Sequence, residues 1–483
     1  MQEIVDAING VIWNQWFIYG IVAVGAFFTI AFGGLQVRNF GAMVRELRES
    51  ATTDTGTGIK PLQALLISLS ARLGTGNIAG VATAIAMGGP GAVVWMWIAA
   101  ALGMATAFAE GALAQVYKER KGNEFRGGPG FYLSKGTGKE FLGLIYAVCI
   151  FLAYTVFVPG IQVNAITQTA FHAWNIPLWV VAVVVVALMI LISAGGVRRF
   201  ANFSQAAVPF MAGAYVLAAL VLLIANIGEI PHMFGLMFSS AFGQDAVFGG
   251  MIGAAISWGV KRGVYSNEAG QGTAAHAAAA ANTSHPAKQG LIQSLGVFID
   301  TWILCSTTAF MILVTNSYNV IGADGQTVVE YLPGVQPGAA YPQAAVDSLV
   351  PGFGSSFVAI IVFFFAFTTL LYYVFAGEIN AHRLFGEKKF LRWVVVGTIA
   401  VMSLYGGVAE STLVWAIGDI GVGLMTWVNM IGLVILTPVV RKVIQDYRRQ
   451  RNAGLDPVFD PVALGIKNAT YWEEIRKSEA AVK

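Results

Sequence analysis

Long apolar stretches, separated by short polar segments, run through almost the whole chain. A helix needs about 20 mostly apolar residues to cross the hydrocarbon core of a bilayer. The sequence holds eleven stretches of this kind. They lie at 13–36, 60–87, 91–117, 141–171, 178–195, 201–225, 246–282, 287–316, 353–382, 390–407 and 411–440. The pattern predicts an all-α integral membrane protein with eleven transmembrane helices.

The basic residues alternate between the two sides of this predicted bundle. Lys and Arg accumulate in the cytoplasmic loops of membrane proteins. The N-terminal segment and every second loop lack both residue types, namely 1–12, 88–90, 172–177, 226–245, 317–352 and 408–410. The intervening loops carry the basic side chains, among them Arg45, Lys121 and Arg441. The alternation predicts an external N-terminus and a cytoplasmic C-terminal tail at 441–483.

Composition excludes a chain of soluble domains. Only 11% of the residues are charged and 56% are hydrophobic, whereas soluble domains carry about 25% charged residues. Glycine is abundant, with 56 residues in 483, and in apolar helices it indicates close packing, helix breaks, or both. Cys149 and Cys305 both lie inside apolar runs, which predicts neither a disulfide nor a metal site.

The second stretch contains a glycine-rich motif about halfway across, from Arg72 to Gly80. Two glycines beside Thr75 and Asn77 disfavour a continuous helix. Unwound backbone inside a membrane is tolerated only where it is buried in protein or lines a cavity. Its carbonyls can then bind a cation and its N–H groups a carboxylate. The alternative is a face of small residues on which another helix packs.

The seventh stretch is too long and too polar for one uninterrupted helix. Its mid-depth falls near Ser257–Gly263, and Gly270 and Gly272 allow a break further on, so the sequence leaves the hinge open. Lys261 and Arg262 need a buried partner at this depth, and Glu268 is the nearest candidate. In the alternative interpretation, residues 257–273 form a cytoplasmic loop.

The two interrupted stretches are five helices apart and enter from opposite sides. This spacing indicates inverted repeats, with substrate and ion bound near the midplane. We therefore expect an additional N-terminal helix and linker at 1–58. A first repeat of five helices then occupies 59–226, and a second repeat occupies 227–440.

Further polar residues lie deep in apolar stretches. Thr368 and Thr369 follow Phe365 and can offer hydroxyl oxygens to a cation, although threonine in a membrane helix also bonds its own helix. Asp300 can relay protons, help hold an ion, or pair with Arg72 or Lys261. Gln162 on the fourth stretch can line a polar pathway or bridge two helices.

Two segments resemble known sequence blocks of the alanine or glycine:cation symporter family. The first is GGPGAVVWMWIAAALG, from Gly88 to Gly103, where Val94 replaces the usual phenylalanine. The second is RGVYSNEAG, from Arg262 to Gly270, with a tyrosine where phenylalanine is common. The resemblance runs from about residue 10 to 445. It implies the leucine-transporter-type fold, a five-plus-five inverted repeat.

By the same resemblance, sodium and substrate sites are expected at the first break. The implied sodium ligands are carbonyls near Thr75 and Ile78, the carbonyl of Phe365, and the hydroxyls of Thr368 and Thr369. The substrate carboxylate is expected at the amides of Thr75, Gly76 and Asn77. Ser257, Trp258 and Gly259 are expected across the site, and the implied fold puts the breaks at the centre of the bundle.

These features predict a sodium-coupled symporter that imports alanine or glycine across the cell membrane by alternating access. The alternatives are a sodium- or proton-coupled symporter of another small solute, or a channel. A membrane enzyme would need a polar catalytic cluster at an interface, which the sequence lacks. We expect no cofactor besides sodium as the coupling ion, and small amino acids and membrane lipids, not nucleic acid, as partners.

Overall fold

A computed structural model describes residues 2–52, 58–122, 124–245, 247–322 and 324–482. The predicted linker residues 53–57 therefore lie outside the described residues. The chain is mostly helical, as predicted, and each of the eleven predicted stretches contains helix. By length and composition alone, seven described helices can cross a membrane, or eight if the bent pair Gln2–Ile12 and Gln15–Ala31 counts as one span. The two broken stretches and the short helix Leu178–Ser193 fall outside that number.

The first half of the chain contains twelve described helices and one hairpin. In order these are α1 (Gln2–Ile12), α2 (Gln15–Ala31), α3 (Leu35–Arg38), α4 (Phe40–Thr52), α5 (Pro61–Arg72), α6 (Ala79–Gly88), α7 (Ala92–Val116), β1 (Glu119–Lys121), β2 (Glu124–Arg126), α8 (Pro129–Thr137), α9 (Glu140–Leu152), α10 (Pro159–Trp174), α11 (Leu178–Ser193) and α12 (Gly196–Ala225). A π-helical segment, Ala153–Phe157, joins α9 to α10.

The second half repeats the order of long elements. It contains α13 (Ile230–Ala241), α14 (Ile252–Asn267), α15 (Ala274–Ala280), α16 (Pro286–Val297), α17 (Ser306–Val314), β3 (Asn319–Ile321), β4 (Thr327–Glu330), α18 (Ala340–Asp347), α19 (Gly354–Phe385), α20 (Leu391–Val408), α21 (Ser411–Asn452) and α22 (Thr470–Val482). Another π-helical segment, Phe298–Cys305, joins α16 to α17. Each half therefore contains one broken helix, which further long helices follow. The short helices α8, α13 and α18 and the two hairpins were not predicted.

Both predicted interruptions are present in the structure. Helix α5 ends at Arg72, a 3₁₀ turn occupies Thr75–Asn77, and α6 begins at Ala79. Helix α14 is continuous to Asn267, so the second break falls at 268–273, the deeper of the two positions that the sequence allowed. The chain leaves α14 through Glu268 in a left-handed conformation. A helical Ile252–Asn267 excludes the loop interpretation of that segment.

Glycines let several helices touch backbone to backbone. A Cβ on Gly111 of α7 would stand 3.1 Å from the Cα of Gly290 on α16, and a Cβ on Gly160 of α10 would stand 3.2 Å from the Cα of Gly406 on α20. Helices that approach this closely replace lipid contacts by dense van der Waals packing. Part of the glycine excess is thus explained by packing, and the remainder includes the two breaks.

The C-terminal tail folds back onto the bundle, where the sequence predicted only a soluble extension. The Trp472 indole donates to the carbonyl of Gln115 at 2.8 Å. Lys118 is fully buried, and its ammonium lies 4.1, 4.9 and 5.3 Å from the ring centres of Phe125, Tyr471 and Trp472. The same ammonium donates to the carbonyl of Ala281 at 2.9 Å, just after α15.

The tail also reaches the ends of both broken helices. The Phe459 N–H donates to the carbonyl of Ser284, and the Ser284 hydroxyl donates to the carbonyl of Pro457. Ile59, just before α5, pairs with Ala281 through a parallel bridge. The starting end of α5, the final end of α15 and the tail thus form one connected layer, which closes what we term the tail end of the bundle.

This layer predicts that Trp472→Ala loosens the tail end. A cysteine in place of buried Ala281 should react with a membrane-impermeant maleimide roughly tenfold faster in the W472A background, because lost tail docking makes local opening more frequent. The labelling rate is measured in proteoliposomes open to the tail side. Trp16→Ala is the matched control, since Trp16 is 85% exposed on α2. Equal labelling with and without Trp472 would contradict the closure.

Candidate substrate and sodium site

Both helix breaks face one small closed cavity in the middle of the bundle. It is lined by Ala71, Arg72, Gly74, Gly76, Tyr154, Val158, Gln162, Tyr265, Glu268, Gln271, Tyr373, Val422 and Met425. The free space is about 10 Å³, close to what one water molecule needs. The bundle is therefore closed around this point, and a larger guest requires side chains to move.

The first break turns its amide groups toward α10. The Thr75 N–H donates to the Gln162 side-chain carbonyl at 3.3 Å, and the Gly74 N–H donates to the Asn77 side chain at 3.2 Å. Gln162 in turn donates to the Tyr373 hydroxyl at 2.9 Å. A Cβ on Gly76 would stand 2.9 Å from the Cα of Ser266, so only glycine lets the two broken helices approach this closely.

Asp300 fastens the first break to the second repeat. Its carboxylate accepts hydrogen bonds from the Asn77 amide at 2.7 Å, from Ser266 at 3.0 Å and from Thr301 at 2.8 Å. No salt bridge joins Asp300 to Arg72 or Lys261 in the described chain, so the pairing that the sequence left open is not formed. Arg72 instead donates to the carbonyl of Gln293 at 3.2 Å. Asp300 thus acts through neutral donors, of which Asn77 lies in the first break.

Glu110 fastens the second break, and the sequence analysis missed this role. One carboxylate oxygen accepts from the backbone N–H groups of Gly270 and Gly272, both at 2.9 Å, and from Asn429 at 2.7 Å. Glu110 is only 1% exposed. The signal available in the sequence was an acid within an otherwise apolar helix.

Glu268 does not pair with Lys261 or Arg262, contrary to expectation. Its carboxylate accepts from Tyr154 at 3.2 Å and from Thr273 at 2.7 Å. Asp419 on α21 is the partner of both cations, at 2.6 Å from the Lys261 ammonium and 3.0 Å from the Arg262 guanidinium. The true partner is 157 residues from Arg262 in sequence, so chain proximity pointed to the wrong carboxylate.

A cluster of backbone and hydroxyl oxygens lies beside the first break. The Thr369 hydroxyl stands 3.0 Å from the carbonyl oxygen of Ser70, 3.2 Å from that of Ala71 and 3.0 Å from that of Phe365. The Thr368 hydroxyl is 3.0 Å from the same Phe365 oxygen. One hydroxyl hydrogen cannot serve three acceptors, so this cluster has more oxygen lone pairs than protons.

The end of α5 explains why these carbonyls are free. In a continuous helix they would accept from Gly74 and Thr75, but those N–H groups bond elsewhere. The carbonyls of Thr75 and Ile78, which the resemblance implied as ligands, each accept one backbone N–H, from Ile78 and Ala82. Phe365, Thr368 and Thr369 thus meet carbonyls one turn earlier than expected.

Ser257, Trp258 and Gly259 lie on α14 and do not line the closed cavity. A Cβ on Gly259 would stand 2.7 Å from the Cβ of Trp95, so this glycine serves the contact of α14 with α7. The Trp258 ring lies beneath Lys261 and Arg262, 5.4 and 5.2 Å from their charged groups. The structure therefore does not bring these three residues together with Thr75, Gly76 and Asn77.

A second, wider cavity opens at the end of the bundle opposite the tail. Gln2, Asp6, Gln168 and Glu410 stand among its outer residues, and Trp258, Lys261, Arg262, Trp415 and Asp419 among its inner ones. Tyr265 and Trp415 pack with ring centres 5.2 Å apart. The Arg262–Asp419 bridge and this aromatic pair separate the wide cavity from the closed one.

The hydrogen bonds of Glu110 predict that the stability of the fold depends on an acceptor oxygen at this position more than on its negative charge. Glu110→Ala leaves the N–H groups of Gly270 and Gly272 without a partner, at a cost of about 1–3 kcal/mol for each buried group. Glu110→Gln keeps the oxygen. Thermal unfolding in detergent should show a clear drop in Tm for E110A and a small change for E110Q. Equal losses in both variants would contradict this role.

Known carrier proteins are similar to this chain over most of its length. The model of the sodium:alanine symporter family matches residues 1–461. A putative sodium/proton-dependent alanine carrier of Bacillus subtilis is 47% identical over 98% of each chain. A sodium/alanine symporter of Methanococcus maripaludis is 36% identical, covering 91% of this chain and 95% of that one.

A solved structure shares the architecture at low sequence identity. The transporter MhsT, crystallised with L-phenylalanine, superimposes with a TM-score of 0.53 at 13% identity, covering 83% of this chain and 94% of that one. The likeness confirms the expected leucine-transporter-type fold. With the family model matching nearly the whole length, the chain belongs to the sodium:alanine symporter family.

Proposed function

We propose that the protein is a secondary active transporter that couples the entry of sodium to the import of alanine or glycine. The observation that carries this proposal is the closed cavity between two broken helices, with an oxygen-rich cluster beside it. Broken helices that offer N–H groups to a carboxylate and carbonyls to a cation are the recurring device of sodium-coupled transporters. The alanine carriers among its relatives support the same substrate.

The substrate carboxylate binds at the unwound amides of Thr75, Gly76 and Asn77, with Gln162 as a neighbouring polar group. Gln162 already accepts from the Thr75 N–H, so it marks where a carboxylate oxygen would compete. The tight walls, Tyr265 and Tyr373 among them, favour a small side chain on the substrate. Ser257, Trp258 and Gly259 act further out, on the route toward the wide cavity.

Sodium binds at the oxygen cluster formed by Phe365, Thr368 and Thr369 with the end of α5. A cation here is held by lone pairs of the carbonyl oxygens and of the two hydroxyl oxygens, and both hydroxyls keep their hydrogens and turn them away from the ion. A bound ion then draws α5 and α19 together. The ion then binds the arrangement with α5 and α19 together more tightly than the arrangement with them apart. This difference in affinity shifts the conformational equilibrium.

The charged residues Arg72, Glu268 and Asp300 support the moving parts. Arg72 and Glu268 both border the closed cavity, and Asp300 holds the first break. Opening the Arg262–Asp419 bridge admits substrate from the wide cavity, and release requires the tail-end layer to part. The bundle thereby alternates between two openings around one site.

The membrane arrangement belongs to this proposal. Eleven spans in the cell membrane, with the N-terminus outside and the tail in the cytoplasm, agree with the charge alternation of the loops. The positions of the two chain termini support this orientation. Helix α1 packs near Ala416 and Asp419, at the start of α21, whereas the tail follows the other end of α21. The repeats are 59–226 and 227–440, preceded by 1–58 and followed by 441–483.

Uptake into proteoliposomes tests the function. Labelled alanine should accumulate above its external concentration when sodium is higher outside, and only equilibrate when sodium is equal on both sides. Accumulation driven by a proton gradient without sodium would favour the proton-coupled alternative. Flux that ignores every gradient would indicate a channel, and an absence of flux for alanine and glycine would overturn the proposal.

The oxygen cluster predicts a specific sodium phenotype for Thr369→Ala. Losing one hydroxyl ligand worth about 1.4 kcal/mol should raise the half-saturating sodium concentration roughly tenfold. The measurement is initial alanine uptake as a function of external sodium. Thr398→Ala is the matched control, because the Thr398 hydroxyl only bonds the Val394 carbonyl on exposed α20. An unchanged sodium dependence in T369A would remove Thr369 from the site.

A further inference from the structure

A pocket rich in arginine lies at the tail end of α2, away from the transport site. Its lining includes Asn39, Arg45, Tyr447, Arg448 and Arg451. The pocket is formed where the connection from α2 to α4 meets the last turns of α21. None of these residues takes part in the closed cavity or the oxygen cluster described above.

Two guanidinium groups converge beside this pocket. A Cβ on Gly33 would stand 3.5 Å from Nη1 of Arg448 and 3.8 Å from Nη1 of Arg38. Arg448 is held in place, because it donates to the Phe32 carbonyl at 2.9 Å and to the Asn39 side chain at 2.7 Å. Both guanidinium groups thus approach one point, where an anion would relieve the repulsion between their charges.

Neither Arg38 nor Arg448 forms a salt bridge in the part of the chain that the structure describes. The neighbouring arginines differ, since Arg451 pairs with Glu46 at 2.6 Å and with Glu49 at 3.0 Å. Glu46 and Glu49 are thus already paired with Arg451. Arg448 in the pocket lining and Arg38 beside it keep their positive charges for a ligand from outside the chain.

The surroundings indicate where that ligand comes from. Helix α2 has 17 residues and rises about 26 Å, close to the roughly 30 Å hydrocarbon thickness of a bilayer. Its outward face is apolar, with Ile30 at 80% and Phe27 at 44% exposure, and Val37 follows at 81%. The arginine pair therefore stands at the depth of lipid headgroups, next to a surface suited to acyl chains.

We propose that the arginine pocket binds the phosphate of an anionic phospholipid headgroup. Guanidinium groups bind phosphate oxygens through paired, charge-assisted hydrogen bonds. Arg38 and Arg448 hold the phosphate, and the acyl chains lie along α2 past Ile30 and Val37. A bound lipid would join α2, α3 and α21 at the membrane surface and stabilise their contact.

Thermal unfolding of the purified chain in detergent tests this site without reference to transport. Phosphatidylglycerol should raise the Tm of the unchanged protein by roughly 2–4 °C, whereas phosphatidylcholine should not. Arg38→Gln should abolish most of that shift. Because Arg38 makes no bond to the protein in the described chain, this variant should fold normally. Arg48→Gln is the matched control, as Arg48 is exposed on α4 outside the pocket.

The arms of the experiment separate the possible sources of phosphate. A shift with phosphatidylglycerol that R48Q keeps and R38Q loses supports the lipid site. An equal, Arg38-dependent shift with inorganic phosphate alone would overturn the lipid assignment in favour of a soluble phosphate ligand. A phosphatidylglycerol shift of the same size in R38Q, or none in the unchanged protein, would overturn the proposal.

Discussion

Unwound backbone inside a membrane must find hydrogen-bond partners within the protein, and two buried carboxylates help to secure the two breaks here. Asp300 holds the first break through the side chain of Asn77, and Glu110 holds the second through the N–H groups of Gly270 and Gly272. Asp300 follows the second break in the chain and holds the first, whereas Glu110 follows the first break and holds the second. The two halves of the chain are therefore fastened to one another at their least regular points.

The remaining features of the site follow from these breaks. Ending α5 at Arg72 releases the carbonyls of Ser70 and Ala71, which meet Thr369 in the oxygen cluster. The same interruption lets Gly76 approach Ser266 on the other broken helix. The proposed cation and substrate sites consequently share one segment of chain, where binding of one ligand can alter the position of the other. Close contact at a single point is a physical basis for coupling.

The sequence predicted the breaks well, because the free-energy cost of glycine in a helix beside Thr75 and Asn77 is local and does not depend on packing partners. It predicted contacts poorly. Glu268 was nearest to Arg262 along the chain, yet Asp419 from α21 provides the partner. Glu110 escaped notice because its acceptor role depends on a break 160 residues away. Gly259 is explained by the proximity of α7, which only the folded bundle reveals.

A density map of the protein with bound alanine and sodium tests the central claim most directly. The account predicts alanine between the two breaks, with its carboxylate at Thr75–Asn77 and Gln162 displaced from the Thr75 N–H. It also predicts sodium within bonding distance of the Thr369 hydroxyl and the Ala71 carbonyl. Alanine in the wide cavity alone, or both breaks unchanged with the closed cavity empty at saturating alanine, would contradict it.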